Sequence, residues 1–304
     1  LVRSVWVAQV PIYQLGLACG VCGWMLCRLR YQAGAGLMLL GWLVSLGQQP
    51  LQAMGVSGLA GWLLVERLQR QTQERDQLRT LSTLWLVGLQ TCGLAWLALP
   101  IDLRQTLLIA AQKFSVEPVS ALNIAGVWLY GYVGLMALGV RQFRHQGNDA
   151  WAQQTERLAL GLSSALLLCA LPQAESFLFT LSMLGLTLTF GAFTRLRPPA
   201  TSWLIYGTHS AAIATFLSGL YVISMRVSGW GDPQWAGVFI GLTAVEWIAS
   251  VATNHYPEWR RSAWYLGIGL SVMAYSLLLN DWGSWLNLSW LVVPGLLTWI
   301  VHRR

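Results

Sequence analysis

The run Trp235-Ala-Gly-Val-Phe-Ile-Gly-Leu-Thr-Ala-Val-Glu246-Trp-Ile-Ala-Ser-Val-Ala-Thr253 is nineteen residues long and carries one charge, Glu246. Wound as an α-helix at about 1.5 Å per residue, it is about as long as the ~30 Å hydrocarbon layer of a bilayer is thick. Outward from it, similar runs recur between charges, prolines and polar clusters. They cover 5–27, 33–47, 51–66, 81–99, 119–140, 158–171, 177–194, 202–224, 235–253, 262–279 and 285–301. The pattern predicts an all-α, polytopic transmembrane helix bundle. About eleven spans are expected, within a range of nine to twelve, in a single integral membrane domain over 1–304 with no soluble domain.

Composition argues the same way. Hydrophobic residues make up 55% of the chain, charged residues 10%, and mean hydropathy is +0.52. Soluble chains are roughly a quarter charged, so a water-soluble fold is excluded. The net charge of +7 comes from eighteen Arg and one Lys, Lys113, against twelve acids. In a membrane chain such an Arg excess is topogenic and faces anionic lipid, so no nucleic-acid partner is expected. The expected partners are the lipid bilayer and other membrane proteins, met through Gly- and Trp-rich helix faces; the chain has thirty Gly and eighteen Trp. Small residues let helix backbones approach, and Trp suits the membrane boundary.

The basic residues also orient the chain. With alternating spans, fifteen of them fall on one side, at Arg28, Arg30, Arg67, Arg70 and so on to Arg303 and Arg304; only Arg3, Arg104, Lys113 and Arg226 fall on the other. This bias makes the first side cytoplasmic, with the C-terminus inside, in a bacterial inner membrane or a thylakoid. Leu1 then lies outside, the expectation for a chain preceded by upstream residues. Single cysteines at positions 73, 149 and 198, in a background stripped of native cysteines, should resist an impermeant thiol reagent applied outside, and one at Gly231 should react. Outside labelling at 149 would overturn the segmentation.

Between the spans, Gly47-Gln-Gln-Pro50 predicts a tight helical turn, because proline breaks a continuous helix. In the longest outer loop, Leu103, Leu107, Ala110, Ala111 and Phe114 share one helical face, with Gln105 and Gln112 opposite. An interfacial helix is expected at about 102–116.

Two ionisable residues interrupt the spans at matched depth. Glu246 and His209 each lie seven residues, about 10 Å, from the cytoplasmic ends of spans 235–253 and 202–224. Thr243, Glu246, Ser250 and Thr253 form one polar stripe; Ser202, Tyr206 and His209 form another. An ionisable group inside the bilayer costs about 2.5–3.5 kcal/mol on insertion scales and marks a pathway or proton relay by default. A structural hydrogen bond joining the helices is the competing reading. Glu246, His209, Thr243, Tyr206 and Ser250 are therefore the candidate substrate- or proton-binding residues; no catalytic residue emerges. Cys19 and Cys22 share a helical face and could reach one ion, but no His or carboxylate lies near them. Gly16, Gly20 and Gly23 around them read as a packing face, and neither a metal nor another cofactor is expected.

Two resemblances stand beside this reading. The tryptophans of Gly229-Trp-Gly-Asp-Pro233 and Asp281-Trp-Gly-Ser-Trp285-Leu-Asn-Leu-Ser-Trp290 resemble the tryptophan-rich haem-handling loop of cytochrome c assembly proteins. The Trp-Asp core and flanking histidines of that family are absent, and interfacial Trp beside a turn accounts for the same residues. Trp259-Arg-Arg-Ser-Ala-Trp-Tyr-Leu-Gly-Ile-Gly-Leu270 and Leu288-Ser-Trp-Leu-Val-Val-Pro294 resemble segments of uncharacterised multi-pass membrane proteins of cyanobacterial type. The resemblance covers about the last quarter of the chain and implies membrane topology, not a catalytic residue.

Three functions stay open at this level. The first is a transporter or channel-like protein with its site between spans 202–224 and 235–253. The second is a structural or assembly protein of a membrane complex. The third is a membrane enzyme acting on lipid-linked substrates. The chain lacks a P-loop, a Gly-x-Ser-x-Gly and a His-Glu-x-x-His, which weighs against an enzyme.

Overall fold

The computed structural model describes residues 11–115, 118–197, 201–227, 230–252, 256–279 and 289–303. Among them it forms twelve α-helices: α1 Gly16–Arg28, α2 Ala33–Leu46, α3 Pro50–Arg70, α4 Glu74–Ala98, α5 Ile101–Gln112, α6 Ala121–His145, α7 Asp149–Ala170, α8 Phe177–Leu196, α9 Ser202–Val227, α10 Asp232–Ala252, α11 Pro257–Leu278 and α12 Ser289–Arg303. Six stretches are long and apolar enough to cross a membrane: Glu74–Ala98, Asn123–His145, Asp149–Gln173, Phe177–Leu196, Ser202–Val227 and Asp232–Ala252. The chain is thus an all-helical integral membrane protein. Outward-facing Leu39, Leu43, Leu135, Leu188, Val245 and Val272 are all more than half exposed, a surface that a bilayer solvates and water does not.

Several helices outrun the apolar runs that announce them. α3 continues to Arg70, α7 starts back at Asp149, and α11 starts at Pro257. Their ends obey local chemistry. Pro50 and Pro257 open helices where a missing N–H costs nothing. The Ser176 hydroxyl accepts from the Phe179 N–H, 3.3 Å away, as an N-cap of α8. Arg67, Arg70, Arg144 and Arg195 sit in last turns, where cations meet the negative end of the helix dipole.

The helices cluster into two compact units, Leu1–Phe114 with Pro118–Ala170, and Ser115–Glu117 with Leu171–Arg304. In the first, α1 packs against both α2 and α3, α3 against α4, and α4, α6 and α7 against one another. Glycines make the α1–α2 approach possible. Gly16, Gly20 and Gly23 are buried, and a Cβ on Gly34 would stand 2.6 Å from both the Gly23 carbonyl oxygen and the Cys27 backbone nitrogen. Gly34→Leu should therefore lower stability by about 1–3 kcal/mol or more. Gly36, whose Cβ would meet nothing within 4 Å, is the matched control, and thermal unfolding in detergent compares the two.

α1 ends in an unusual way. The Tyr31 N–H donates to the Leu26 carbonyl (2.9 Å) and the Arg30 N–H to the Cys27 carbonyl (3.0 Å), with Arg30 at φ 67°. These are the two bonds of a Schellman C-cap, whose left-handed position normally belongs to glycine. An L-residue there costs roughly 1–2 kcal/mol.

Side chains tie α4, α6 and α7 together. Trp85 Nε1 donates to Thr155 Oγ1 at 3.0 Å, Gln154 Nε2 to Ser82 Oγ at 3.0 Å, and the Tyr130 hydroxyl to the Ser163 carbonyl at 2.9 Å. Arg144 and the buried Glu156 form an ion pair at 2.5 Å. α5 occupies the segment expected to be interfacial and buries no residue; Leu103, Leu107 and Phe114 are exposed.

In the second unit, α8 and α9 are stitched by hydroxyls. Thr180 meets Ser218 at 2.8 Å, Thr187 meets Thr215 at 2.9 Å, and Thr194 meets Thr208 at 3.0 Å. Most of these hydroxyls also return a bond to their own helix four residues back, as in Thr187 to Met183 and Thr215 to Ala211. Each hydroxyl has one proton, so at the Thr187–Thr215 and Thr194–Thr208 contacts one partner donates across the seam and the other to its own helix. α10 packs closely on α11 because the fully buried Trp247 ring lies over Gly267, at the point where a Cβ would stand.

Candidate functional site

α9, α10 and α11 meet around His209. Its Nε2 lies 3.2 Å from Glu246 Oε1 and 3.1 Å from Oε2, so one ring nitrogen faces both carboxyl oxygens. Its Nδ1 lies 3.0 Å from Ser262 Oγ on α11. The ring also packs against Trp259, with centroids 5.4 Å apart. Both partners are enclosed: the side chains are 16% and 8% exposed for His209 and Glu246. The depth match read from the sequence thus corresponds to direct contact.

The backbone explains how they reach each other. α9 and α10 each pack on α11, and the imidazole spans from α9 to both of the other helices. One turn nearer the start of α9, the Tyr206 hydroxyl donates to Glu258 Oε2 at 3.4 Å. Tyr206–Glu258 and His209–Ser262 are successive rungs between α9 and α11. The rungs ascend together in residue number, as parallel helices require. Glu258 also faces Arg261 at 3.5 Å.

The other candidates lie near but bond elsewhere. Thr243 is fully buried and donates to the Phe239 carbonyl at 2.8 Å; Ser250 is fully buried and donates to the Trp247 carbonyl at 2.7 Å. Both satisfy their own helix, which leaves the Glu246 carboxyl to His209. Tyr206 was expected beside the pair and instead turns to Glu258, because α11 offers a carboxylate at that height. Ser262, Trp259 and Glu258 were missed. Their sequence surroundings read as a basic turn and the head of the next span, and nothing in periodicity says that α11 would sit beside α9.

An open, largely apolar surface groove of about 380 Å³ lies beside the imidazole, lined by His209, Ala249, Tyr256, Trp259 and Ala263. His209 therefore touches this groove on one side and the buried carboxyl on another. Chemically, the pair can share a proton. With one proton between Nε2 and the carboxyl, and Ser262 able to donate or accept at Nδ1, the proton can sit on either partner without a change in hydrogen-bond count.

The remaining sequence candidates do not assemble into a site. Cys19 is partly buried and Cys22 exposed, both as free thiols, while the buried face of α1 is made of its glycines. No group of three or more His, Cys, Asp or Glu able to hold a metal occurs among the described residues. Thr253, His255, Gly229 and residues 281–288 of the tryptophan-rich loop lie outside the described residues. No protein-family model, no curated protein and no solved structure matches this chain.

Proposed function

We propose that this integral membrane protein is a proton-coupled transporter whose proton-binding site is the Glu246–His209 pair. The observation that carries the reading is the imidazole held between a buried carboxyl on one helix and a hydroxyl on another, with one ring edge on an open groove. Ionisable residues that pair with one another inside the hydrocarbon region mark proton relays. In this reading about eleven helices span the membrane, the Arg-rich turns and the C-terminus are cytoplasmic, and Tyr206 and Glu258 form the approach to the pair. Thr243 and Ser250 flank it on α10.

The test uses purified protein in vesicles loaded with a pH-sensitive dye and holding an imposed proton gradient. Amino acids, sugars and organic cations are offered in turn. One class should accelerate collapse of the gradient with wild-type protein, and Glu246→Gln should abolish that acceleration. Equal acceleration by wild type and Glu246→Gln, or none with any class, would overturn the proposal in favour of a structural tie between α9 and α10.

A further inference from the structure

A cavity in the first unit has a different chemistry. It measures about 870 Å³, at the upper end of the ~300–1,000 Å³ typical of ligand sites, and it opens among α1, α2, α3 and α4. Its charged lining gathers Arg28, Arg30, Arg67 and Arg70 against a single carboxylate, Glu66. The rest of its wall is largely apolar, with Leu39, Trp42, Leu63 and Val87 among its residues.

The four guanidinium groups are not equivalent. Arg28 pairs with Glu66 and lies over the Trp24 ring, 4.8 Å from its centroid. Glu66 also accepts from Trp62 Nε1 at 2.7 Å, and its other oxygen is 3.8 Å from Arg70. One carboxylate thus offsets about one of the four charges and leaves a strongly cationic rim. Arg30 is the telling member. It occupies the left-handed cap position after α1, where glycine is the favourable residue. The chain sets a guanidinium at the cavity at the expense of local backbone stability, and strain of that kind gathers at binding sites.

We infer that this cavity binds an anionic phospholipid, with the phosphate held by Arg30, Arg67 and Arg70 and an acyl chain laid along Leu39, Trp42 and Leu63. Charge complementarity selects an anion, and basic pockets between membrane helices take lipid headgroups. The apolar wall selects an amphiphile over a free anion, because an inorganic ion leaves that surface unmatched. The site is distinct from the Glu246–His209 pair, which lies in the other unit, and does not rest on it.

Native mass spectrometry of the delipidated protein with phosphatidylglycerol, phosphatidylcholine or inorganic phosphate tests this. Phosphatidylglycerol should bind about tenfold more tightly than phosphatidylcholine, and phosphate should neither bind nor compete. Arg30→Gly and Arg67→Gln should each weaken phosphatidylglycerol binding about tenfold. Arg30→Gly should at the same time melt no lower than wild type without lipid, since it relieves the cap, and so separates lost binding from lost folding. Arg195→Gln, which removes an exposed charge on α8, should leave binding unchanged. Three results would overturn the inference: unchanged binding in both cavity variants, an equal loss in Arg195→Gln, or phosphate binding that matches the lipid's.

Discussion

Glu246→Gln should leave the fold standing and remove proton coupling. The amide keeps the shape of the carboxyl and can still meet His209 Nε2, so stability should change by no more than about 1 kcal/mol, the net worth of one such hydrogen bond. What the amide cannot do is take up or release the proton. Coupled flux should fall at least about 100-fold, within the loss expected when a group that carries the proton is removed. Glu246→Ala is the informative companion. It strands a ring nitrogen of a His209 side chain that is only 16% exposed, and an unsatisfied buried group costs about 1–3 kcal/mol. If the contact is only structural, Gln is silent in every assay and Ala is destabilising. If it is a relay, Gln is silent in melting and null in flux.

Glu156→Ala should strongly destabilise the first unit. Glu156 is 3% exposed and pairs at 2.5 Å with Arg144, whose side chain is 18% exposed. Removing one member of a buried ion pair costs about 3–5 kcal/mol, because the remaining charge loses its compensation. Replacing both by apolar residues of similar volume, Arg144→Met with Glu156→Leu, should recover most of that loss, since paired apolar substitutes are often neutral or better. Chemical denaturation in mild detergent reads all three proteins. Equal stability of Glu156→Ala and wild type would mean that the pair contributes only as a surface bridge does, about 0–1 kcal/mol.

The two residues show where sequence reading stops. Glu246 stands out in Trp235–Thr253 because it is the only charge in nineteen residues. Glu156 does not, because Gln153, Gln154, Thr155 and Arg157 surround it, and a carboxylate in polar company reads as solvated. Burial there is a property of α7 against α6 and α4, which no local pattern records. The hydroxyls of Thr180, Thr187 and Thr194 were likewise silent in sequence; their seven-residue spacing acquires meaning only when α9 presents Ser218, Thr215 and Thr208 opposite them.

The chain by itself determined that the protein is helical and embedded in a membrane, because hydrocarbon thickness and the need to satisfy every backbone group leave an apolar run of this length no other conformation. It also set His209 and Glu246 at the same residue count from the neighbouring ends of their two apolar runs, and so at the same rise along their helices. Tertiary structure alone decided what lies beside what at that depth. α11 joins the α9–α10 contact as a third wall, bringing Ser262 to the imidazole and Glu258 to Tyr206. It also decided that Arg28, Arg30, Arg67 and Arg70, spread over two turns of the chain, line one cavity. The physical reason is the same in both cases. Span and depth are properties of one helix in one solvent, whereas neighbours are chosen by where small residues such as Gly34 and Gly267 let other helices approach.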